Sequence, residues 1–343
     1  MKTIFVAFML FLSAVAFAGT EVFEFSSQAP IAARVYDAPE TSNCGRTTSN
    51  LAIGIVTPDS MNSDTGLIIN LPGLTNFDCN PSAVALDNWA NTKNVVIATI
   101  AYRNLSFLFP ADFGKISIID VLRGLNATLE RYPQINTNRI YLYGGSGGGH
   151  LALQVYQVAP EIWAEVYAHA AITLISTQAD VNRGYATRWN GNLQFPETQG
   201  SLTQAQWDRY QAERDIRSPQ FLATAGAHTT CPVWMFHGTN DPLVPIINMN
   251  EYKAHITEPN WHFVSIVGGN HGYAGAAGDE DTRTEATVKY VPDCFTRTRT
   301  PNFDVNYVSP VSHGWYMRIT GHISSVELTM DQGFASVEEW QAY

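Results

Sequence analysis

Gly144, Ser146 and Gly148 fall within the stretch Arg139-Ile-Tyr-Leu-Tyr-Gly-Gly-Ser-Gly-Gly-Gly-His150 and spell G-x-S-x-G directly behind a short apolar, aromatic run. A serine hydroxyl is a weak nucleophile near neutral pH, and it becomes useful only beside a base that a carboxylate orients. In a strand-to-helix turn this sharp the serine backbone is strained. Its neighbours two positions either side must lack side chains, because sheet and helix backbones meet there. Gly149-His-Leu-Ala-Leu-Gln-Val-Tyr156 follows with the pattern of a helix opening, so the serine stands in a strand, turn and helix rather than in a glycine linker.

Nucleophile turns of this kind take their acid and then their histidine from later in the chain. Pro232-Val-Trp-Met-Phe-His-Gly-Thr-Asn-Asp-Pro-Leu-Val-Pro245 reads as a strand running into a tight polar turn that carries Asp241. Thirty residues on, Gly268-Gly-Asn-His-Gly272 places His271 in a glycine-flanked loop after the next strand. Of the nine histidines, His271 is the candidate base, and His237 is expected to brace the acid turn. Asp279, Glu280 and Asp281 follow the histidine and read as the start of a helix, where carboxylates complement the amide dipole, so Asp241 is the candidate acid. The oxyanion of a tetrahedral intermediate needs two preorganised donors. The Gly147 N–H supplies one, and the Leu74 N–H, in the Pro72-Gly-Leu-Thr75 turn behind an apolar strand, is the candidate for the other. This chemistry requires neither metal nor organic cofactor.

These residues must be held by a sheet. Strand-like runs cover Leu51–Val56, Leu67–Leu71, Val95–Ala101, Arg139–Tyr143, Glu165–Ala171, Val233–Phe236 and His262–Val267. Between them Pro81–Asn91 and Ile116–Tyr132 carry apolar residues at a helical spacing. The expectation is an α/β fold, a mostly parallel central sheet flanked by helices, with ligands bound beyond the carboxyl ends of the strands. The alternation lapses over about 173–217, where a polar, aromatic segment with Tyr185, Trp189 and Phe195 precedes a helix from Thr203 to Arg214. This is expected to be a lid-like insertion, and the three rings either form a substrate platform or pack the insertion down. Residues 295–343 read as a β-rich C-terminal extension.

Lys2, the apolar run Ile4–Leu12 and Ala16-Phe-Ala18 have the form of a secretory signal peptide over residues 1–18, leaving a hydrolase domain over 19–294. A secreted or periplasmic protein without a membrane span is expected, since no later run approaches the roughly 20 apolar residues a span needs. Loss of Lys2 moves the formal charge from -11 to -12, which argues against nucleic acid as a partner. Four cysteines in an oxidising compartment suggest two disulfides, with Cys44–Cys79 and Cys231–Cys294 favoured, and their spacings do not suit zinc. Asn104-Leu-Ser106 and Asn126-Ala-Thr128 are glycosylation triplets. Oligomeric state is not legible.

Together Leu71-Pro-Gly-Leu74, the Arg139–His150 stretch, His237-Gly-Thr-Asn-Asp241 and Asn270-His-Gly272 resemble the α/β-hydrolase superfamily over roughly residues 50–290, most closely its prolyl-oligopeptidase-type and secreted-esterase branches. The resemblance implies Ser146 as nucleophile, His271 as base and Asp241 as orienting acid. Pro72-Gly73 stands where many lipases and esterases have His-Gly. Only about fifty residues precede the region of resemblance, so no β-propeller is expected there, a large oligopeptidase is excluded on that expectation and the peptidase reading is weakened. The leading expectation is therefore an exported carboxylic ester hydrolase acting on a small or polymeric ester. A serine peptidase with the same residues is the alternative, and a non-catalytic binding protein on the same fold is the third.

Overall fold

The computed structural model describes residues 20–26, 50–73, 87–102, 115–173, 231–278, 281–299, 303–311, 314–321 and 325–329, with a few positions between 200 and 219. Apolar on both alternations, Leu67–Leu71 and Val95–Ile100 can be strands only if both faces are covered. They form β3 (Gly66–Leu71) and β4 (Val95–Ile100), buried at every position. Around them stand β1 (Thr20–Ser26), β2 (Asn50–Val56), β5 (Ile140–Gly145), β6 (Glu165–His169), β7 (Val233–Gly238) and β8 (Trp261–Ile266). The eight strands run in the order β1-β2-β4-β3-β5-β6-β7-β8. Pairings from β4 through to β8 are parallel, and β2 pairs antiparallel with both β1 and β4. The expected strands lie within two residues of those observed.

Alternation divides the core in two. Leu67, Ile69, Leu142, Val166 and Met235 point to one face, where α2 (Lys115–Arg131), α3 (Gly147–Val158) and α4 (Ile247–Ala254) cover them with residues such as Val121, Val155 and Tyr252. Ile68, Ile97, Tyr141, Tyr167 and Phe236 point to the other, under Trp89 of α1 (Asp87–Thr92), Ala286 of α5 (Arg283–Tyr290) and Phe295. Cys231 packs in the first layer and Cys294 in the second, and both are buried thiols outside any disulfide. The expected Cys231–Cys294 disulfide is thus corrected: the two side chains belong to opposite faces of the sheet. Burial pushes the Cys231 thiol up to about 12 and the Cys294 thiol up to about 11, which leaves both unreactive. The pair Cys44–Cys79 lies outside the described residues, as do the signal segment and the triplet Asn104-Leu-Ser106, whereas Asn126-Ala-Thr128 lies in α2.

β1 and α4 were not expected from the sequence. In β1 the apolar residues Val22, Phe23 and Phe25 are interrupted by Glu21 and Glu24. In α4 the apolar rhythm is broken by Asn248, a buried residue whose amide donates to the Pro245 carbonyl at 3.1 Å. Of the helix expected over 203–214, Gln204, Ala205 and Trp207 are described and helical. Beyond residue 300, β9 (Phe303–Val311), β10 (Gly314–Gly321) and β11 (Ser325–Thr329) pair with one another as an antiparallel sheet in the order β11-β10-β9. No helix among the described residues is long and apolar enough to cross a membrane.

At the end of the sheet where β6 begins, Glu165 accepts the Phe295 N–H at 2.8 Å. That bond holds a non-glycine residue at φ 61 while its ring packs against Trp89, Tyr141 and Tyr167. Burial pushes the Glu165 carboxyl from 4.5 up to about 7, against the lowering effect of the Phe295 and Tyr167 hydrogen bonds and of Arg297 and Lys93. Between pH 4.5 and about 7 the folded chain keeps this proton while the unfolded chain has released it. The unfolded state binds fewer protons there, so stability falls as pH rises through the window. Urea unfolding across that range is expected to show a decline on the order of 1–3 kcal/mol from this group. Glu165→Gln should remove that component, and an unchanged slope in the variant would refute the assignment.

Candidate active site

The carboxyl end of β5 delivers Ser146 into a conformation that side chains seldom adopt, φ 60 and ψ -122. A residue held there costs about 1–3 kcal/mol and persists only when its surroundings over-determine it. Here they do. Ser146 N–H donates to the His169 carbonyl at 2.7 Å, and His150 N–H closes the first turn of α3 on the Ser146 carbonyl at 2.9 Å. A β-carbon on Gly144 would overlap the Gly148 carbonyl, and one on Gly148 would overlap the Leu71 carbonyl, so both glycines are required by backbone contact. Gly147, the first residue of α3, has an N–H without an intrahelical acceptor, at the positive end of the helix dipole. Gly73 lies alongside: a β-carbon there would stand 3.4 Å from the Ser146 β-carbon and 3.9 Å from Oγ. Its loop is pinned by Tyr102, which donates its hydroxyl to the Pro72 carbonyl at 2.7 Å.

The acid and base arrive from the ends of β7 and β8. Asp241 Oδ1 accepts Leu243 N–H at 2.8 Å and Val244 N–H at 2.9 Å, and Oδ2 accepts His271 Nδ1–H at 2.7 Å. The Asp241 side chain is wholly buried and that of His271 is 18% exposed, so Nε2 remains the ring nitrogen available to a substrate. Burial alone would raise the Asp241 carboxyl. The bonds from His271, Val244 and Leu243 outweigh it and hold the group below its usual range, ionised. His237 braces the turn as expected, donating Nε2–H to the Val244 carbonyl at 2.6 Å and standing 3.6 Å from Asp241 Oδ2. Burial keeps His237 below the ordinary imidazole range, so it leaves the carboxylate's charge to His271.

The two loops touch directly. A β-carbon on Gly238 would overlap the Gly269 and Asn270 carbonyls, Asn240 N–H donates to Gly269 O at 3.0 Å, and Gly268 N–H donates to Thr239 Oγ1 at 2.8 Å. Three participating residues carried no signal in the sequence. His169, at the end of β6, stacks on Phe236 and lies 3.0 Å from both the Tyr273 hydroxyl and Thr287 Oγ1. Arg283, the first residue of α5, donates Nη2–H to the His271 carbonyl at 2.9 Å and lays its guanidinium over Gly145. Tyr102 is the third. Leu74, Tyr185, Trp189 and Phe195 lie outside the described residues, as does most of the lid-like insertion.

A strained serine between a parallel strand and a helix, at the same end of the sheet as a buried aspartate bonded to a histidine, is the arrangement of the α/β-hydrolase fold. The chain belongs to the prolyl oligopeptidase family of peptidases, whose family profile matches residues 108–297. No curated protein matches it. Among solved structures the fold is similar to that of the Pyrococcus horikoshii acylaminoacyl peptidase, with TM-score 0.58 and 14% identity over 85% of this chain and 44% of that one. It is similar also to a Mycobacterium tuberculosis puromycin-hydrolyzing peptidase, with TM-score 0.51 and 16% identity over 67% and 36%. A third is a putative dipeptidyl aminopeptidase IV from Bacteroides ovatus, with TM-score 0.54 and 15% identity over 80% and 35%. The chain thus spans less than half the length of these proteins.

Gly148 and Gly73, both at the serine turn, make a controlled comparison. Gly148→Ala drives a β-carbon into backbone on the Leu71 side, whereas Gly73→Ala makes only ordinary contacts. The first is expected to lower stability in urea by about 1–3 kcal/mol and the second by no more than about 0.5 kcal/mol. Equal losses would show that the contact at Gly148 does not set the turn.

Proposed function

We propose that this protein is a serine peptidase of prolyl-oligopeptidase type, in which Ser146, His271 and Asp241 act as a triad. Ser146 Oγ attacks the substrate carbonyl while His271 Nε2 takes its proton and then passes it to the leaving amine. Water, activated by the same nitrogen, then releases the acyl group from the serine. Asp241 holds the ring in the tautomer that presents Nε2 and stabilises the imidazolium. Gly147 N–H and a donor from the loop after β3, with Leu74 N–H the candidate, receive the oxyanion. The observation that carries the proposal is the 2.7 Å bond between Asp241 and His271 beside the Ser146 turn, in a chain of this family.

Family membership moves the leading reading from ester to peptide substrates, so the carboxylic ester hydrolase becomes the second reading. A matched pair of substrates separates them: an N-acyl amino-acid arylamide and the corresponding aryl ester. Esters are intrinsically easier to cleave, so ester turnover alone decides nothing. The purified protein is expected to cleave both, and Ser146→Ala to lower kcat on each by about 10³-fold or more. A wild-type enzyme that turns over the ester and leaves the arylamide untouched would make the esterase reading the right one. A wild-type protein that acts on neither and does not react with a fluorophosphonate would make it a binding protein.

We also infer that the chain is exported, on the strength of Lys2, the apolar run Ile4–Leu12 and Ala16-Phe-Ala18. Intact mass of protein from the culture fluid or periplasm is expected to place the N-terminus at Gly19. Retention of residues 1–18 in a protein that stays in the cytoplasm would count against export.

A further inference from the structure

Arg283 belongs to none of the groups that the triad proposal uses, yet it touches both halves of the site. Its Nη2 donates to the His271 carbonyl at 2.9 Å. Its guanidinium lies over Gly145, the residue immediately before Ser146, so closely that a β-carbon there would overlap Nη1 and stand 2.8 Å from Cζ and 3.1 Å from Cδ. In the G-x-S-x-G pattern the residue before the serine is written as arbitrary. Here it is glycine, and the space it leaves is filled by the arginine.

The base of the side chain is fixed as firmly as its tip. Thr282 caps α5 by accepting the Glu285 N–H at 3.2 Å. Thr287 donates its hydroxyl to the Arg283 carbonyl at 2.8 Å. With that proton committed, Thr287 Oγ1 accepts from His169 Nε2–H at 3.0 Å, and His169 Nδ1 accepts the Tyr273 hydroxyl at 3.0 Å. The His169 carbonyl receives the Ser146 N–H at 2.7 Å. A closed circuit results: serine turn, end of β6, α5, arginine, and back to the serine turn through Gly145, with the histidine loop tied to the circuit at the arginine. A planar guanidinium suits this place, because it offers a flat face to the glycine backbone and an N–H in the same plane to the carbonyl.

We propose that Arg283 is a positioning residue that sets the separation of the histidine loop from the serine turn by spanning from the His271 carbonyl to Gly145. The proposal rests on the hydrolase reading above, and its test keeps the two apart. Four variants are compared with wild type: Arg283→Ala, Arg283→Lys, Gly145→Ala and the double variant Gly145→Ala/Arg283→Ala. Each is assayed for the rate of fluorophosphonate labelling and for kcat and KM on the better of the two substrates, at a temperature where urea unfolding shows it folded.

Arg283→Ala is expected to lower kcat and the labelling rate by about 10- to 100-fold, the scale of a misplacement near 1 Å, with KM changed by less than about threefold. Arg283→Lys should recover part of the loss by restoring one donor to the His271 carbonyl. Gly145→Ala retains the arginine but displaces it, so it should lose rate as well. In the double variant the alanine no longer meets a guanidinium, and the loss should be no greater than that of Arg283→Ala alone. Wild-type labelling rates in Arg283→Ala, or losses that multiply in the double variant, would overturn the inference while leaving the hydrolase reading intact. If Arg283→Ala does not fold, Gly145→Ala and Arg283→Lys decide the matter through the same rates. A wild-type protein that does not label would instead defeat the reading on which the inference rests.

Discussion

The backbone of α3 lies directly against the end of β3, at Gly148 beneath the Leu71 carbonyl, and the rest of the site follows from that contact. With no side chain between them, helix and sheet come close enough that the chain must reverse within one residue, and Ser146 is that residue. Its positive φ is the geometric consequence of the approach. The cost, about 1–3 kcal/mol, is offset by what surrounds it: β5 lies in the middle of an eight-stranded sheet, buried at every position, and α3 is packed through Leu151, Val155 and Tyr156. A strained turn on an edge strand would relax. Placed here it has no unstrained alternative that preserves the core.

Sheet order then creates a second problem. β6 stands between β5, which carries the serine, and β7, which carries the acid, while the histidine follows β8 at the edge. An edge strand is the least constrained place in a sheet, and β8 is only partly buried along its middle. Polar contacts between loops compensate. Gly238 lets the β7 loop meet the β8 loop backbone to backbone, and Asp241 bonds to two amides of its own turn before it reaches His271. His169, at the end of the intervening strand, is kept neutral chiefly by burial, with Arg283 adding to the effect. It can therefore serve as a donor and an acceptor at once rather than as a charge. Both ring nitrogens of His169 are thus bonded without a second imidazolium competing for the carboxylate.

How far this could be read beforehand depended on whether a feature was local. The serine turn was legible because glycine, strand and helix patterns coincide within twelve residues, and Asp241 and His271 because each sits in a turn behind a strand at the right point in chain order. The parallel sheet was legible because its central strands are apolar at most positions of both faces. Elements stabilised by distant partners were not. β1 depends on pairing with β2 rather than on its own alternation, and α4 hides behind a buried asparagine. Pairing Cys231 with Cys294 failed because neighbourhood in sequence says nothing about which face of a sheet a side chain joins. Arg283 was invisible for a related reason: its two contacts, at Gly145 and His271, lie 138 and 12 residues away by position in the sequence.

Restraint of the histidine connects the fold to the chemistry. An alkoxide or phenoxide can leave a tetrahedral intermediate without much help, so an ester tolerates a poorly placed general acid. An amine departs only as it is protonated, and the imidazolium that protonates it must already point at the leaving nitrogen. His271 is held at both ends: its ring by a buried carboxylate at Nδ1, its backbone by a guanidinium at the carbonyl. Such a double hold adds little to ester cleavage, where attack dominates, and most to amide cleavage, where departure does. A base held at both ends in this way suits the peptidase proposed above, whose leaving amine must be protonated as it departs.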